Sequence, residues 1–232
     1  MKKLLRYSKD KTIILLDCET LNLNLCTTLE INAPWQTSLL ITKNGKIERE
    51  VDLFTKWLDD NGEAMKIGDG AAKVTQFYTR KIERFNWRTM EEVLEDEGEE
   101  PEETFKKLNP VLQEADYIVG HNLLGFDQYL IMGLFERVNA SWQSIVDKMI
   151  DTMAIGRGIT SGNIYNSEQN FQAWQYKMIN SVRRVRGKHS CSLQNLCKVN
   201  KIDFDPDKMH DGLEDLKANF GLWEKYKWQI EI

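Results

Sequence analysis

Asp17 and Glu19 stand two residues apart at the end of a short apolar run, residues 12–16. On a strand, side chains at i and i+2 point to the same face. Two carboxylates would therefore share the mouth of a buried strand, where they repel each other unless a cation lies between them. Hard oxygen donors of this kind suit Mg²⁺ or Mn²⁺; a solvated strand end is the plainer alternative. A second candidate, Asp127, closes the stretch Gly120-His121-Asn122-Leu123-Leu124-Gly125-Phe126-Asp127. It would open a helix, whose N-terminus favours a carboxylate, and a simple capping role would also account for it. The third group is His210-Asp211-Gly212-Leu213-Glu214-Asp215. Five residues along an ideal helix turn a side chain by about 140°, so His210 and Asp215 do not share a helical face. His210 fits the loop leading into a helix and Asp215 its early turns. One could then ligate a metal while the other faces a water; a lone histidine beside a helix start also serves structure alone.

Elements must exist to bring these residues together. Residues 12–16 read as a buried strand and residues 38–42 as a second. Asn44-Gly45 follows, a type I′ hairpin signal, so residues 47–54 should pair back as a third strand. The first 54 residues then form an antiparallel meander with a loop at residues 21–35. Residues 55–115 read as mostly helical and irregular. Phe105, Leu108, Val111 and Leu112 have helical spacing, which Pro110 should disturb. Residues 117–119 make a further short strand, and residues 126–135 a helix. Ser192 suits the N-cap of a helix through Leu193, Leu196 and Cys197. Leu213, Leu216, Phe220 and Trp223 form the core stripe of the last one. One α/β domain with a mixed sheet flanked by helices accommodates this order.

In combination, Asp17-x-Glu19, Asn122-x-x-x-Phe126-Asp127 and His210-x-x-x-x-Asp215 resemble the three motifs of the DEDDh exonuclease family. Its best-known members are proofreading subunits of the DnaQ type, with RNase T-like and oligoribonuclease-like enzymes. Asp151-Thr152 and Ser190-Cys191-Ser192-Leu193-Gln194-Asn195-Leu196 resemble further family features. The resemblance spans residues 12–228, with residues 55–100 matching poorly. Two departures are visible. DnaQ-type second motifs usually read His-Asn-x-x-Phe-Asp, whereas here one more residue separates Asn122 from Phe126. That spacing is closer to polymerase-linked proofreading domains, which generally use tyrosine in place of histidine; Asp211 stands where that tyrosine would fall.

The resemblance implies a ribonuclease H-like mixed β-sheet flanked by α-helices, forming a single exonuclease domain over residues 1–232 with an insertion-like region at 55–115. It implies a 3′→5′ exonuclease that releases nucleoside 5′-monophosphates from single-stranded nucleic acid, with DNA favoured over RNA. Two divalent cations, Mg²⁺ or Mn²⁺, would be held by Asp17, Glu19, Asp127 and Asp215, at a separation of ~3.5–4 Å. His210 would be the base, its ordinary pKa of ~6.5 lying near neutral pH. By position, Thr20 and Leu21 would pack against the 3′-terminal nucleotide, and Asn122 and Phe126 would shape the same pocket; a core or turn role is the alternative for each.

The bulk composition agrees with a globular protein: 232 residues, 41% hydrophobic and 29% charged. Net charge is −5, but residues 91–103 hold nine acids and no base. The rest of the chain has 27 acidic against 31 basic residues, so net charge does not exclude a nucleic-acid partner. The acidic run reads as a solvated helix surface, or as a repulsive gate restricting which strands enter. Cys18, Cys26, Cys191 and Cys197 form no CxxC pair, which argues against a thiolate zinc site and for reduced thiols in a cytoplasmic protein. Residues 1–5 begin like a signal peptide, but Arg6, Lys9, Asp10 and Lys11 interrupt any apolar segment. No apolar run reaches the ~20 residues of a membrane helix.

Weaker signals remain. Arg183, Arg184, Arg186 and Lys188 could hold a phosphate backbone or line a solvated loop. Trp35, beside Pro34, should pack against its own domain, with base stacking as the alternative. Asp203, Asp205 and Asp207 mimic a calcium loop, but Lys208 stands where the turn needs glycine. A binding module that kept this fold but lost catalysis would lack a carboxylate or the histidine, and all five are present. A structural protein would need three coincident motifs. The expected partners are 3′ ends of single-stranded DNA or RNA. Since 232 residues leave no room for a polymerase, proofreading would require a separate replication or repair protein.

Overall fold

The β-branched and leucine run starting at Thr12 makes strand β1 (Thr12–Thr20) in a computed structural model that describes residues 11–25, 32–181 and 190–230. Ile14, Leu15 and Leu16 are each at most 1% exposed, so both faces of β1 are covered. β2 (Pro34–Lys43) pairs antiparallel with β1, and β3 (Lys46–Phe54) pairs with β2. The Asn44-Gly45 turn joins them with φ of 54° and 73°, the positive pair a type I′ turn requires. The expected meander is present, but its strands are longer than the apolar runs suggest. β1 continues through Asp17 and Glu19 to Thr20. β2 starts at Pro34, since the first residue of a strand needs no N–H for the ladder. Trp35 thus lies in a strand rather than a loop, 1% exposed and edge-on to Phe77 at 5.0 Å. It packs against its own domain and is not open to a base.

Three helices follow: α1 (Asp69–Thr75), α2 (Met90–Glu97) and α3 (Pro101–Glu114). Pro101 sits in the first turn of α3, where its missing N–H costs nothing. α3 runs unbroken through Pro110. The proline removes one backbone bond, but Leu108 and Leu112 on either side are fully buried and hold the helix down. The acidic run is shared between α2 and α3. Glu92 completes a capping box with Thr89, Arg88 pairs with Asp96 and Glu97, and Lys107 pairs with Glu99.

β4 (Tyr117–Gly120) lies parallel to β1. α4 (Asp127–Arg137) and the short α5 (Gln143–Val146) lead to β5 (Met149–Asp151), parallel to β4 and not foreseen from the apolar pattern. At three residues it is too short for periodicity to show. The sheet is mixed, in the order β3-β2-β1-β4-β5. α6 (Thr152–Ser161), α7 (Phe171–Ser181), α8 (Leu193–Asn200) and α9 (Gly212–Tyr226) complete the fold. Ser192 takes the N-cap position of α8 without a side-chain capping bond. α9 packs against β1 and β2, with Leu213, Leu216 and Trp223 buried. The main core fills the space between sheet and helices, from Leu16 and Leu40 to Phe135, Leu216 and Trp223. A second cluster joins Leu21, Trp35 and Phe54 to Phe77, Met90 and Val93. It seats the poorly matching region against the edge of the sheet.

Asp205 caps a 3₁₀ turn, Pro206–Lys208, by accepting the Asp207 N–H at 3.0 Å. Arg183, Arg184, Arg186, Lys188, Cys26 and residues 1–5 lie outside the described residues. Among the described residues, no helix is long and apolar enough to cross a membrane.

Candidate active site

β1 outruns its parallel neighbour. β4 pairs with β1 only as far as Leu15↔Val119, leaving the Cys18 N–H with no strand partner on that side. The Asp127 carboxylate accepts it at 2.9 Å. Asp127 is the first residue of α4, the N-cap position being Phe126. Its buried side chain is thus turned to β1 rather than used as a cap. Asp17 and Glu19 face away from the Leu16 side of β1, opposite Ser38 and Gln36 of β2. α9 descends onto this face. A Cβ on Gly212 would stand 2.2 Å from the Ser38 hydroxyl, so glycine is what lets the helix start approach the sheet. Asp215, in the first turn of α9, reaches the same place.

His210 precedes α9 with φ of 61°, in the left-handed region that few non-glycine residues adopt. Its N–H donates to both oxygens of Asp215 at 3.3 Å. Ligand atoms of Glu19, His210 and Asp215 lie within 4.8 Å of one another. The predicted placement of His210 in the loop and Asp215 in the early helix is what the structure has.

The electrostatics are those of crowded acids. Burial, then the charge of Asp211, raises the Asp17 pKa to about 7. Burial, then Asp17, raises Asp215 to about 8. Glu19 and Asp127 are also pushed well above the carboxylate range, by burial first and then by Asp17. Among the described residues, neither Asp17 nor Glu19 has a hydrogen bond or ion pair offsetting this. Asp211, 1% exposed, is a fifth acid here. One of its oxygens pairs with Arg84 and the other is buried without a partner. Crowded carboxylates, partly to fully buried and with few hydrogen-bond donors, are a poor arrangement for protein alone and a good one for hard divalent cations. His210 keeps access to solvent. Its surroundings, then the Arg80 charge, lower its pKa, so its ring is neutral near pH 7 and can accept a proton.

Asn122 and Phe126 line a cleft of about 420 Å³ together with Leu23, Tyr129, Arg157 and Tyr176. Thr20 and Leu21 do not line it. The Thr20 hydroxyl donates to the Asn22 carbonyl, and Leu21 is 3% exposed within the second cluster. The extra residue between Asn122 and Phe126 is taken up by a 3₁₀ turn, Leu123–Gly125, with Asn122 at φ of 62°.

Asp151, noted in the sequence only as part of a family-like pair, has a structural role here, and two arginines were not singled out at all. Asp151 accepts N–H groups from Asn122, Leu124, Met153 and Ala154. It ties the turn before Asp127 to the start of α6. Arg80 donates to the Met209 carbonyl at 2.9 Å. Arg84 spans Asp52 and Asp211. The run Arg80-Lys81-Ile82-Glu83-Arg84 beside an otherwise acidic region was the available signal.

No protein-family model matches the chain, and no curated protein does. Solved structures of exonuclease I do. The E. coli enzyme in complex with a dT13 oligonucleotide has a TM-score of 0.65 at 18% identity, covering 95% of this chain and 42% of that one. A product-bound exonuclease I has a TM-score of 0.65 at 18% identity, with 95% and 44% covered. A zinc-bound E. coli exonuclease I–ssDNA complex has a TM-score of 0.62 at 18% identity, with 93% and 41% covered. The chain spans less than half the length of exonuclease I. What it shares with these structures is the fold, a ribonuclease H-like mixed sheet flanked by helices.

Proposed function

We propose that this chain is a metal-dependent 3′→5′ exonuclease that removes nucleoside 5′-monophosphates from single-stranded nucleic acid, DNA in preference to RNA. One observation carries the reading. The elements that build the exonuclease I-like fold bring Asp17, Glu19, Asp127, Asp215 and His210 to one end of β1, with Glu19, His210 and Asp215 in mutual reach of a single ion. The neighbours captured with dT13, with product and with zinc support the same substrate class and a metal requirement.

Asp17, Glu19, Asp127 and Asp215 would hold two divalent cations, Mg²⁺ or Mn²⁺. Bound there, such a pair supplies positive charge to the attacking and leaving oxygens of an in-line displacement. The protein's own residues do the rest. His210, neutral and open to solvent, takes a proton from the attacking water at a ring nitrogen. The Cys18 N–H bond fixes Asp127, and the His210 N–H bond fixes Asp215. The cleft beside Phe126 is within the ~300–1,000 Å³ range of small-ligand sites and would seat the terminal nucleotide. Asn122 and Phe126 form its wall, while Thr20 and Leu21 lie outside its lining. The proposal extends to one exonuclease domain over residues 1–232, working in the cytoplasm. A replication or repair partner belongs to it as well, as exonuclease I has been captured with SSB.

The test is incubation with 5′-labelled single-stranded DNA and RNA of one sequence, in Mg²⁺, Mn²⁺ or EDTA. A metal-dependent ladder shortening from the 3′ end is expected, faster on DNA. No shortening of either strand in any metal by folded protein would refute the reading.

A further inference from the structure

The segment between α1 and α2, the region that resembles no exonuclease motif, reaches back to the third motif at two points. Arg80 donates Nη1–H to the Met209 carbonyl at 2.9 Å, and Arg84 donates Nη1–H to the Asp211 carboxylate. Met209 and Asp211 are the two chain neighbours of His210. We propose that Arg80 and Arg84 are positioning residues that clamp the His210 turn from both sides and so set where the histidine ring stands over the carboxylates. This rests on the exonuclease reading for its catalytic consequence, though not for its structural one.

The physical case starts from the backbone. A non-glycine residue at positive φ carries strain and persists only where its surroundings over-determine it. His210 is such a residue, at φ of 61°. Its own N–H bond to Asp215 is long, at 3.3 Å to each oxygen, and weak by geometry. The neighbours are held more firmly. Met209 is buried at 6% exposure and Asp211 at 1%. The Asp211 partner is itself fixed, since Arg84 presents Nε and Nη2 to Asp52 at 3.3 and 3.1 Å. Asp52 is held in turn by Gln36 at 2.9 Å and by the Ser38 hydroxyl. A continuous polar chain thus runs from β2 and β3 through Asp52, Arg84 and Asp211 to His210. The planar guanidinium presents Nε and Nη2 to Asp52 and Nη1 to Asp211 in a fixed fork that the single nitrogen of an ammonium does not reproduce. Phe77 and Ile82, buried in the second cluster, anchor the segment that carries both arginines. That gives the second cluster a role at the active site.

The experiment compares wild type with Arg84→Gln, Arg84→Lys and Arg80→Gln. It measures kcat and KM on single-stranded DNA and amide hydrogen exchange across residues 205–216. Arg84→Gln should lower kcat about 10–100-fold with KM within about threefold, and speed exchange at His210 and Asp215. Arg84→Lys should recover only part of the loss. Arg80→Gln removes one hydrogen bond to a backbone carbonyl and a positive charge near Asp215 and His210 but breaks no ion pair, so it should fold even if Arg84→Gln does not. It should lower kcat about 3–10-fold and speed the same exchange. Unchanged kcat and exchange in Arg80→Gln and in any folded Arg84 variant would overturn the clamp. So would a loss confined to KM with exchange unaltered, which would make the arginines substrate contacts. If wild type cleaves nothing, the exonuclease reading fails by itself, and exchange alone decides the clamp.

Discussion

Removing one carboxylate from the cluster should have opposite effects on activity and stability. Asp17→Asn or Asp215→Asn is expected to abolish cleavage, because each would take away a ligand. The same change relieves desolvation and repulsion, which raise both groups' pKa values to about 7 and about 8. In EDTA near pH 8 these variants should therefore melt at or above the wild-type temperature, by about 2–4 °C for each kcal/mol relieved. A melt well below wild type would mean that the carboxylates support the fold. His210→Ala should slow hydrolysis by ~10²–10⁴-fold, the usual cost of a lost general base, with single-stranded DNA affinity little changed. An unaltered rate would remove His210 from the chemistry.

At the scale of elements, what matters is how closely two helices approach the sheet. α9 reaches β2 because position 212 has no side chain. Gly212→Ala places a Cβ 2.2 Å from the Ser38 hydroxyl and should cost about 1–3 kcal/mol, the usual range for overpacking. Ser38→Gly in the same chain should restore part of it, as urea unfolding would show. α4 depends on Asp151, whose carboxylate collects four N–H groups from two turns. Asp151→Ala leaves those donors buried without an acceptor and should destabilise by about 3 kcal/mol. It should also cut kcat, because the turn it holds delivers Asp127. Loss of stability with full specific activity would separate the turn from the site.

Across the whole molecule, the buried acids make stability depend on pH and metal together. Asp17, Asp151 and Asp215 titrate at about 7, 6 and 8 when folded, against an ordinary aspartate value of ~3.9. The folded chain then holds more protons than the unfolded chain between about pH 4 and 8. Without metal, stability should fall as pH rises through that window. His121 acts the other way. Burial lowers its pKa to about 4, so its contribution is lost as pH drops below about 6.5. The acids outnumber it, so melting in EDTA should decline from pH 5 to 8. Millimolar Mg²⁺ or Mn²⁺ should flatten or reverse the decline by favouring the ionised carboxylates. Identical pH curves with and without metal would show that no cation binds the cluster.

Much of this was legible in the residues themselves. The β-branched run before Asp17, the Asn44-Gly45 turn and the stripe of α9 are local patterns, set by side-chain type and backbone preference. They specified the meander and the last helix, while the five candidate residues stood out only through the combined resemblance of their three motifs to an exonuclease family. Other features depended on partners distant in sequence. β5 was too short to show a period, and Pro110 was outweighed by the leucines around it. Trp35 was settled by Phe77, and Leu21 by the second cluster. The roles of Arg84, Asp52 and Asp211 appear only where three segments meet, because a charge reveals its function through the partner that neutralises it. The sequence by itself determined which chemistry was available and on which elements. The tertiary structure decided which acids crowd together and which arginines reach the histidine turn, since burial and proximity are properties of packing and not of local pattern.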